Sequence, residues 1–170
     1  MIKDKNLSKM DLFEKTLKIL RFQFRTPIFS SIIRDRDELD YSFSKNTGRL
    51  RKVIYQNDVI LIYKPDVGRF NLTLKGAIYL KKATEPPVYR IIVLTEIQDY
   101  IKDGKSVFSQ HVLEIDQELR PKDEVIVVNE EDDLLGVGKM MLPPFKPSKQ
   151  RMGVVVDVRK GINKLATDNR

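Results

Sequence analysis

The sequence predicts an α+β chain, with a small α+β domain first and a domain built almost wholly of strands after it. Three observations carry this. Apolar residues fall near a 3.6 period over residues 8–22 and change to a period of two from Tyr41 onward. Turn residues, mainly Gly, Asn, Asp and Pro, punctuate the period-two runs. Glu85-Pro86-Pro87 then divides the chain, because adjacent prolines forbid helix and favour a short stiff connector. The expected organisation is a domain over residues 1–87, a second over 88–161 and a polar tail over 162–170.

Ser8 can cap the first helix, with Asp11 three residues on and Leu12, Phe13, Leu17, Ile19 and Leu20 on its apolar side. Pro27 suits an early position in a second helical piece through Ile28, Phe29, Ile32 and Ile33. Tyr41 and Phe43 begin a strand, and Lys45-Asn46-Thr47-Gly48 turns the chain into Val53-Ile54-Tyr55. A turn at Gln56-Asn57-Asp58 leads to Val59–Tyr63, and Pro65-Asp66-Val67-Gly68 leads to alternating Phe70, Leu72 and Leu74. A helix from about Thr73 to Lys82 closes this domain, read as three turn-separated strands flanked by helices. In the second domain strands are expected over residues 89–94, 106–113, 124–129, 134–141 and 152–159, with one short helical turn from Glu96 to Lys102. Turns fall at Arg120-Pro121-Lys122-Asp123 and Glu130-Glu131-Asp132-Asp133. So many strands in so short a stretch imply a small barrel or a strongly curled sheet.

Composition narrows the function. The 170 residues are 41% apolar and 32% charged, enough for real cores. There is no cysteine, so disulfides, thiolate zinc sites and cysteine nucleophiles are excluded within this stretch. No apolar run approaches a membrane span and the first residues lack a signal-peptide core, so a cytoplasmic, soluble protein is expected. The net charge of +7 is unevenly spread: 18 Lys/Arg against 10 Asp/Glu in residues 1–87, 5 against 12 in 88–138, and 8 against 2 in 139–170. Lysine enrichment for solubility would raise the charge without separating the signs in this way. Two basic ends around an acidic middle point to a basic face assembled from distant parts of the chain, the footprint of a nucleic-acid binder.

The chemistry is expected around Asp103-Gly104-Lys105-Ser106-Val107-Phe108. Gly104 can end a helix at positive φ, leaving a cation, a hydroxyl and backbone amides at the tip before Val107 and Phe108 turn inward. Such small donors suit a sugar–phosphate backbone; an ordinary helix-to-strand turn is the alternative. Lys146, Lys149 and Arg151 lie in a proline-stiffened loop, either a solvated connector or a basic finger. Lys45, Arg49, Arg51 and Lys52 crowd one hairpin, as a solubilising surface or a secondary RNA contact. His111, the lone histidine, falls inside a predicted strand without the partners of a triad or metal site and reads as structural. The acidic run 130–133 lacks the ligand spacing of a calcium loop, and there is no phosphate-loop or dinucleotide motif. No metal and no cofactor is expected.

Several of these stretches resemble a known family. Tyr89-Arg90-Ile91-Ile92-Val93, Gly104-Lys105-Ser106-Val107-Phe108, Leu119–Asn129, Leu134-Leu135-Gly136-Val137-Gly138-Lys139 and Gly153–Gly161 are similar to the PUA domain, an RNA-binding β pseudobarrel. Ser44–Val53 and Tyr63–Ala77 resemble the domain that precedes PUA in archaeal archaeosine tRNA-guanine transglycosylase. One departure is Lys122-Asp123, where the family has Gly-Asp. The resemblance implies an RNA groove between the first PUA helix, the Gly-Lys-Ser turn and the last strand. Gly104, Lys105, Ser106 and Val107 would meet backbone and sugar there, with Arg159, Lys160 and Lys139 toward phosphate. Phe108, at strand spacing, reads as core, with a stacking platform as the alternative. The family's catalytic barrel, with its aspartate nucleophile and cysteine-held zinc, has no counterpart in these residues. The expectation is a non-catalytic protein binding structured RNA, most naturally tRNA at its acceptor stem and 3′ end. It would act in trans with a transglycosylase catalytic subunit. The alternatives are a ribosome-associated or translation factor, and a protein scaffold using the acidic middle.

Overall fold

The structure, a computed structural model, describes residues 4–24, 36–147 and 153–165. The chain divides into two compact units, Met1–Ala83 and Thr84–Arg170. In the first, α1 (Lys9–Gln23) opens on a reciprocal cap: the Ser8 hydroxyl accepts from the Asp11 amide at 3.1 Å, and the Asp11 carboxylate accepts from the Ser8 amide at 3.2 Å. Its Leu12, Leu17 and Leu20 are buried. Strands β1 (Leu39–Phe43), β2 (Leu50–Tyr55), β3 (Asp58–Lys64) and β4 (Arg69–Leu72) form one antiparallel sheet in sequence order, four strands where three were read. Gln23 ends α1 by clamping the edge strand β4. Its amide nitrogen donates to the Phe70 carbonyl at 2.7 Å and its oxygen accepts from the Phe70 amide at 2.8 Å, satisfying backbone that would otherwise be an open edge. The helix expected from about Thr73 to Lys82 is α2 (Leu74–Lys82), and Leu74, read also as the end of the strand alternation, is its first residue. The Thr73 hydroxyl accepts from the Gly76 amide at 2.9 Å, and that cap overrides the alternation. The helical piece expected through Ile28 and Ile33 lies outside the described residues.

The second unit holds β5 (Arg90–Val93), α3 (Gln98–Lys102), β6 (Val107–Phe108), β7 (Val112–Ile115), β8 (Glu124–Val128), β9 (Leu134–Met140) and β10 (Val154–Gly161). The sheet order is β6-β10-β9-β8-β5-β7, with β5 and β8 parallel and the other pairs antiparallel. Strands β6 and β7 stand at opposite ends of that order, yet only the 3-10 turn Ser109–His111 separates them in the chain. A three-residue link can join the two edges only if the sheet curls until they meet, which makes a pseudobarrel. This also explains why the run 106–113, expected as one strand, is broken at its middle: the chain passes from one edge to the other there.

Buried polar groups in this unit are paired. Arg90 is 1% exposed, and its guanidinium donates to the Thr84 hydroxyl and carbonyl, the Val88 carbonyl and the Asp132 carboxylate, at 2.7–2.9 Å. Beyond β10, where the sequence predicts a polar tail, Ile162–Leu165 forms a 3-10 turn, and the Asn163 amide donates to the Asp103 carboxylate at 2.7 Å. No helix among the described residues is long and apolar enough to cross a membrane.

Candidate nucleic-acid interface

The candidate site is built on the C-terminus of α3. Gly104 has φ +90°, and two bonds close the helix end: its amide donates to the Ile101 carbonyl at 2.9 Å and the Lys105 amide to the Tyr100 carbonyl at 3.0 Å. This is the double cap that follows a helix when a left-handed glycine reverses the chain. It corrects the sequence reading, because the Gly104 and Lys105 amides are spent on capping and are not free donors. What this turn leaves at the surface is the exposed Lys105, with Ser106 half-buried beside it. Lys105 is exposed and makes no ion pair among the described residues. Val107 is fully buried, so its side chain is core and only its backbone borders the site.

The far end of β10 reaches the same place. A Cβ at Gly161 would overlap the Lys102 and Ile101 carbonyl oxygens, so only glycine lets the strand end lie against the end of α3. The following 3-10 turn then brings the Lys164 ammonium to 3.6 Å from where a Cβ on Gly104 would stand. Lys105 and Lys164, 59 positions apart in the sequence, thus flank one turn. Lys164 is the residue the sequence reading missed. The apolar pair Ile162 and Leu165, spaced as one helical turn, was the available signal for an ordered end.

The other expected residues are placed as follows. A bulge at Arg159, between the pairs Val158–Gly138 and Lys160–Val137, aims its guanidinium back across β9 to β8. There it donates twice to Glu124, at 2.6 and 3.1 Å, and that carboxylate is 1% exposed. Arg159 is therefore held by the fold. Lys139 is half-buried and lies in register between Glu124 and Asp157, so it sits in a row of alternating charge. Lys160 is half-buried immediately before Gly161. Lys149 and Arg151 lie outside the described residues; Lys146 is exposed in the preceding loop. In the first unit a bulge at Arg51 exposes both Arg51 and Lys52, and Lys45 is exposed in the β1–β2 turn, with Arg49 half-buried beside it. His111 is half-buried in the 3-10 turn rather than in a strand, and its ring nitrogen meets the Gln110 amide at 3.0 Å. Phe108, expected in the core, is 49% exposed. At the start of the α3 region, the Thr95 hydroxyl and amide donate to Glu130 at 2.6 and 2.9 Å and hold its carboxyl below the usual range.

With that geometry in place, residues 89–162 match the PUA domain and residues 15–87 match the patch-forming domain C2 of tRNA-guanine transglycosylase. The chain thus joins a C2-type domain to a PUA domain, and it is homologous to the C-terminal part of archaeal tRNA-guanine(15) transglycosylase. It is 34% identical to that enzyme of Methanococcus vannielii over 145 residues, 85% of this chain and 22% of the enzyme. It is likewise 34% identical to that of Methanocaldococcus jannaschii over 146 residues, 85% and 22% of the two chains. The chain spans about a fifth of the length of the curated relatives it matches. Among solved structures, a hypothetical protein of Pyrococcus horikoshii superposes with a TM-score of 0.68 at 18% identity, covering 91% of this chain and 92% of that one. A PUA-domain structure from Aeropyrum pernix gives 0.63 at 17% identity, covering 95% and 89%.

Proposed function

We propose that this chain is a non-catalytic RNA-binding protein whose ligand is tRNA, held near the acceptor stem and 3′ end. It serves in trans beside a transglycosylase or a related modification enzyme. The observation that carries the reading is the pair of cations at one turn, Lys105 and Lys164, brought together by the Gly161 contact with the α3 terminus. Point charges with an adjacent hydroxyl suit phosphates and the 2′-hydroxyls that A-form RNA presents, so recognition is by shape and backbone rather than by a base code. The PUA match and the likeness to the C-terminal part of tRNA-guanine(15) transglycosylase support RNA, and tRNA within it. The matches fall on the C-terminal part of that enzyme alone, which supports a binding rather than a catalytic role for these residues.

Crosslinking in cells followed by sequencing of the bound RNA tests this. Reads over tRNA acceptor stems are expected; ribosomal RNA reads would reassign the protein to the ribosome, and no RNA would overturn the proposal. In vitro, affinity for a tRNA transcript should fall steeply with salt, and Lys105→Glu should weaken it and lower the salt slope by about 1. Co-purification of the native protein without any modification enzyme would remove the role in trans.

A further inference from the structure

The two edges of the first sheet differ. At β4 the Gln23 side chain bonds the Phe70 amide and carbonyl, so that edge is closed. The other edge is β1, Leu39-Asp40-Tyr41-Ser42-Phe43, paired with β2 on one side. Among the described residues nothing bonds its backbone on the other side. The Ser44 amide donates inward to the Arg49 carbonyl at 2.8 Å. By strand alternation Ser42 and Asp40 also bond toward β2, while Leu39, Tyr41 and Phe43 turn their amides and carbonyls to the open edge. Such a row is a template for another strand, and chains that stay apart blunt it with lysine, proline or a bulge. Strand β1 has none of the three: the extra residue at its Ser42/Phe43 register shift is Arg51, on β2.

The sequence of β1 also fits its own reverse. Two copies laid antiparallel about Tyr41 set Tyr41 against Tyr41, Leu39 against Phe43 and Asp40 against Ser42. Leu39, Tyr41 and Phe43 stand beside the buried Tyr55, Val53 and Leu50 of β2, so they lie on the core side of the sheet. Tyr41 and Phe43 are only half-buried there, and the same residues of a second copy would extend their cover. On the opposite side the Ser42 hydroxyl can donate to the Asp40 carboxylate of the other copy. The same register brings Asp37 to Lys45 at both ends of the seam. Asp37 has a side chain 71% exposed, with the Lys9 ammonium 3.9 Å away. Lys45 is exposed and makes no ion pair among the described residues. No position from Asp37 to Lys45 opposes like charges, and this match selects a second copy over an unrelated strand. We propose that the chain dimerises by antiparallel pairing of β1 with β1 about Tyr41, joining two four-stranded sheets into one.

Sedimentation equilibrium at low salt, on protein freed of nucleic acid, tests the pairing. A mass of twice the 19.8 kDa chain is expected, falling toward one chain on dilution. Asp37→Lys or Lys45→Asp alone puts like charges at both ends of the seam and should weaken the dimer about 10-fold, two exposed ion pairs becoming two repulsions. An equimolar mixture of the two variants restores opposite charges at both ends and should recover wild-type affinity as a mixed dimer. Amide exchange at Leu39, Tyr41 and Phe43 should slow as concentration rises. A mass that stays at 19.8 kDa, a dimer indifferent to both substitutions, or exchange at Tyr41 independent of concentration would overturn the β1 pairing. None of these measurements uses RNA, so such a failure leaves the function proposed above standing.

Discussion

A basic residue near an RNA-facing edge can be committed to the fold instead of the ligand, and Arg159 is such a residue. Its partner Glu124 is 1% exposed, so losing the guanidinium leaves a buried carboxylate unpaired. Arg159→Ala should cost about 2–3 kcal/mol, discounted because Arg159 itself is 30% exposed, and urea unfolding would show it. Lys105→Glu should leave the same midpoint unchanged; an unaltered midpoint in Arg159→Ala would mean the ion pair has no structural weight. Lys122 makes the converse case. It stands at φ +74°, in a region where a side chain is strained, at the position where the resembling family has glycine. Lys122→Gly should therefore stabilise the chain by about 0.5–1 kcal/mol, seen as a higher thermal midpoint, and a lower midpoint would refute the strain. The charges were countable in the sequence. Their partners were not, because Glu124 and Arg159 are 35 positions apart and meet only across two strand pairings.

Elements were legible where local rules decide them and illegible where neighbours do. The cap at Ser8, the stop at Gly104 and the turn chemistry of the first sheet follow from short-range preference, and each element forms within a few residues of its expected limits. Val107-Phe108 shows the limit of pattern. Two adjacent apolar residues are both core only in a strand covered on both faces, as β8 is, with all five residues buried. Strand β6 sits at the sheet's edge and covers only one face, so Phe108 is left outside. The contact between α3 and β10 gives the prediction at this scale. Gly161→Ala drives a methyl group into two helix-terminal carbonyls and should destabilise the second unit by about 1–3 kcal/mol, with weaker RNA binding as the Lys105–Lys164 pair separates. A wild-type melting curve and unchanged affinity would show that the contact yields without consequence.

At the scale of the molecule, the division of the chain falls between Ala83 and Thr84, and the buried Arg90 is the physical reason to place a boundary there. Thr84 supplies two of its acceptors, at 2.9 and 2.8 Å. A fragment of residues 84–170 should unfold cooperatively by itself. One starting at residue 88, where the prolines alone set the boundary, should be less stable by about 2 kcal/mol, since it strands two donors of a buried cation. Equal denaturation midpoints for the two fragments would put the boundary back at the prolines. Composition, periodicity and turn residues determined the α+β class, the two-part order and the presence of a basic, cysteine-free surface, because each is a property of residues and their near neighbours. Tertiary structure alone decided which cations belong to the fold, that Lys164 joins Lys105, and that Phe108 faces outward. Those outcomes depend on barrel closure, which brings β6 and β7 together from opposite ends of one sheet and lays the end of β10 against α3. Contacts made across such distances leave no periodic trace in the residues that make them.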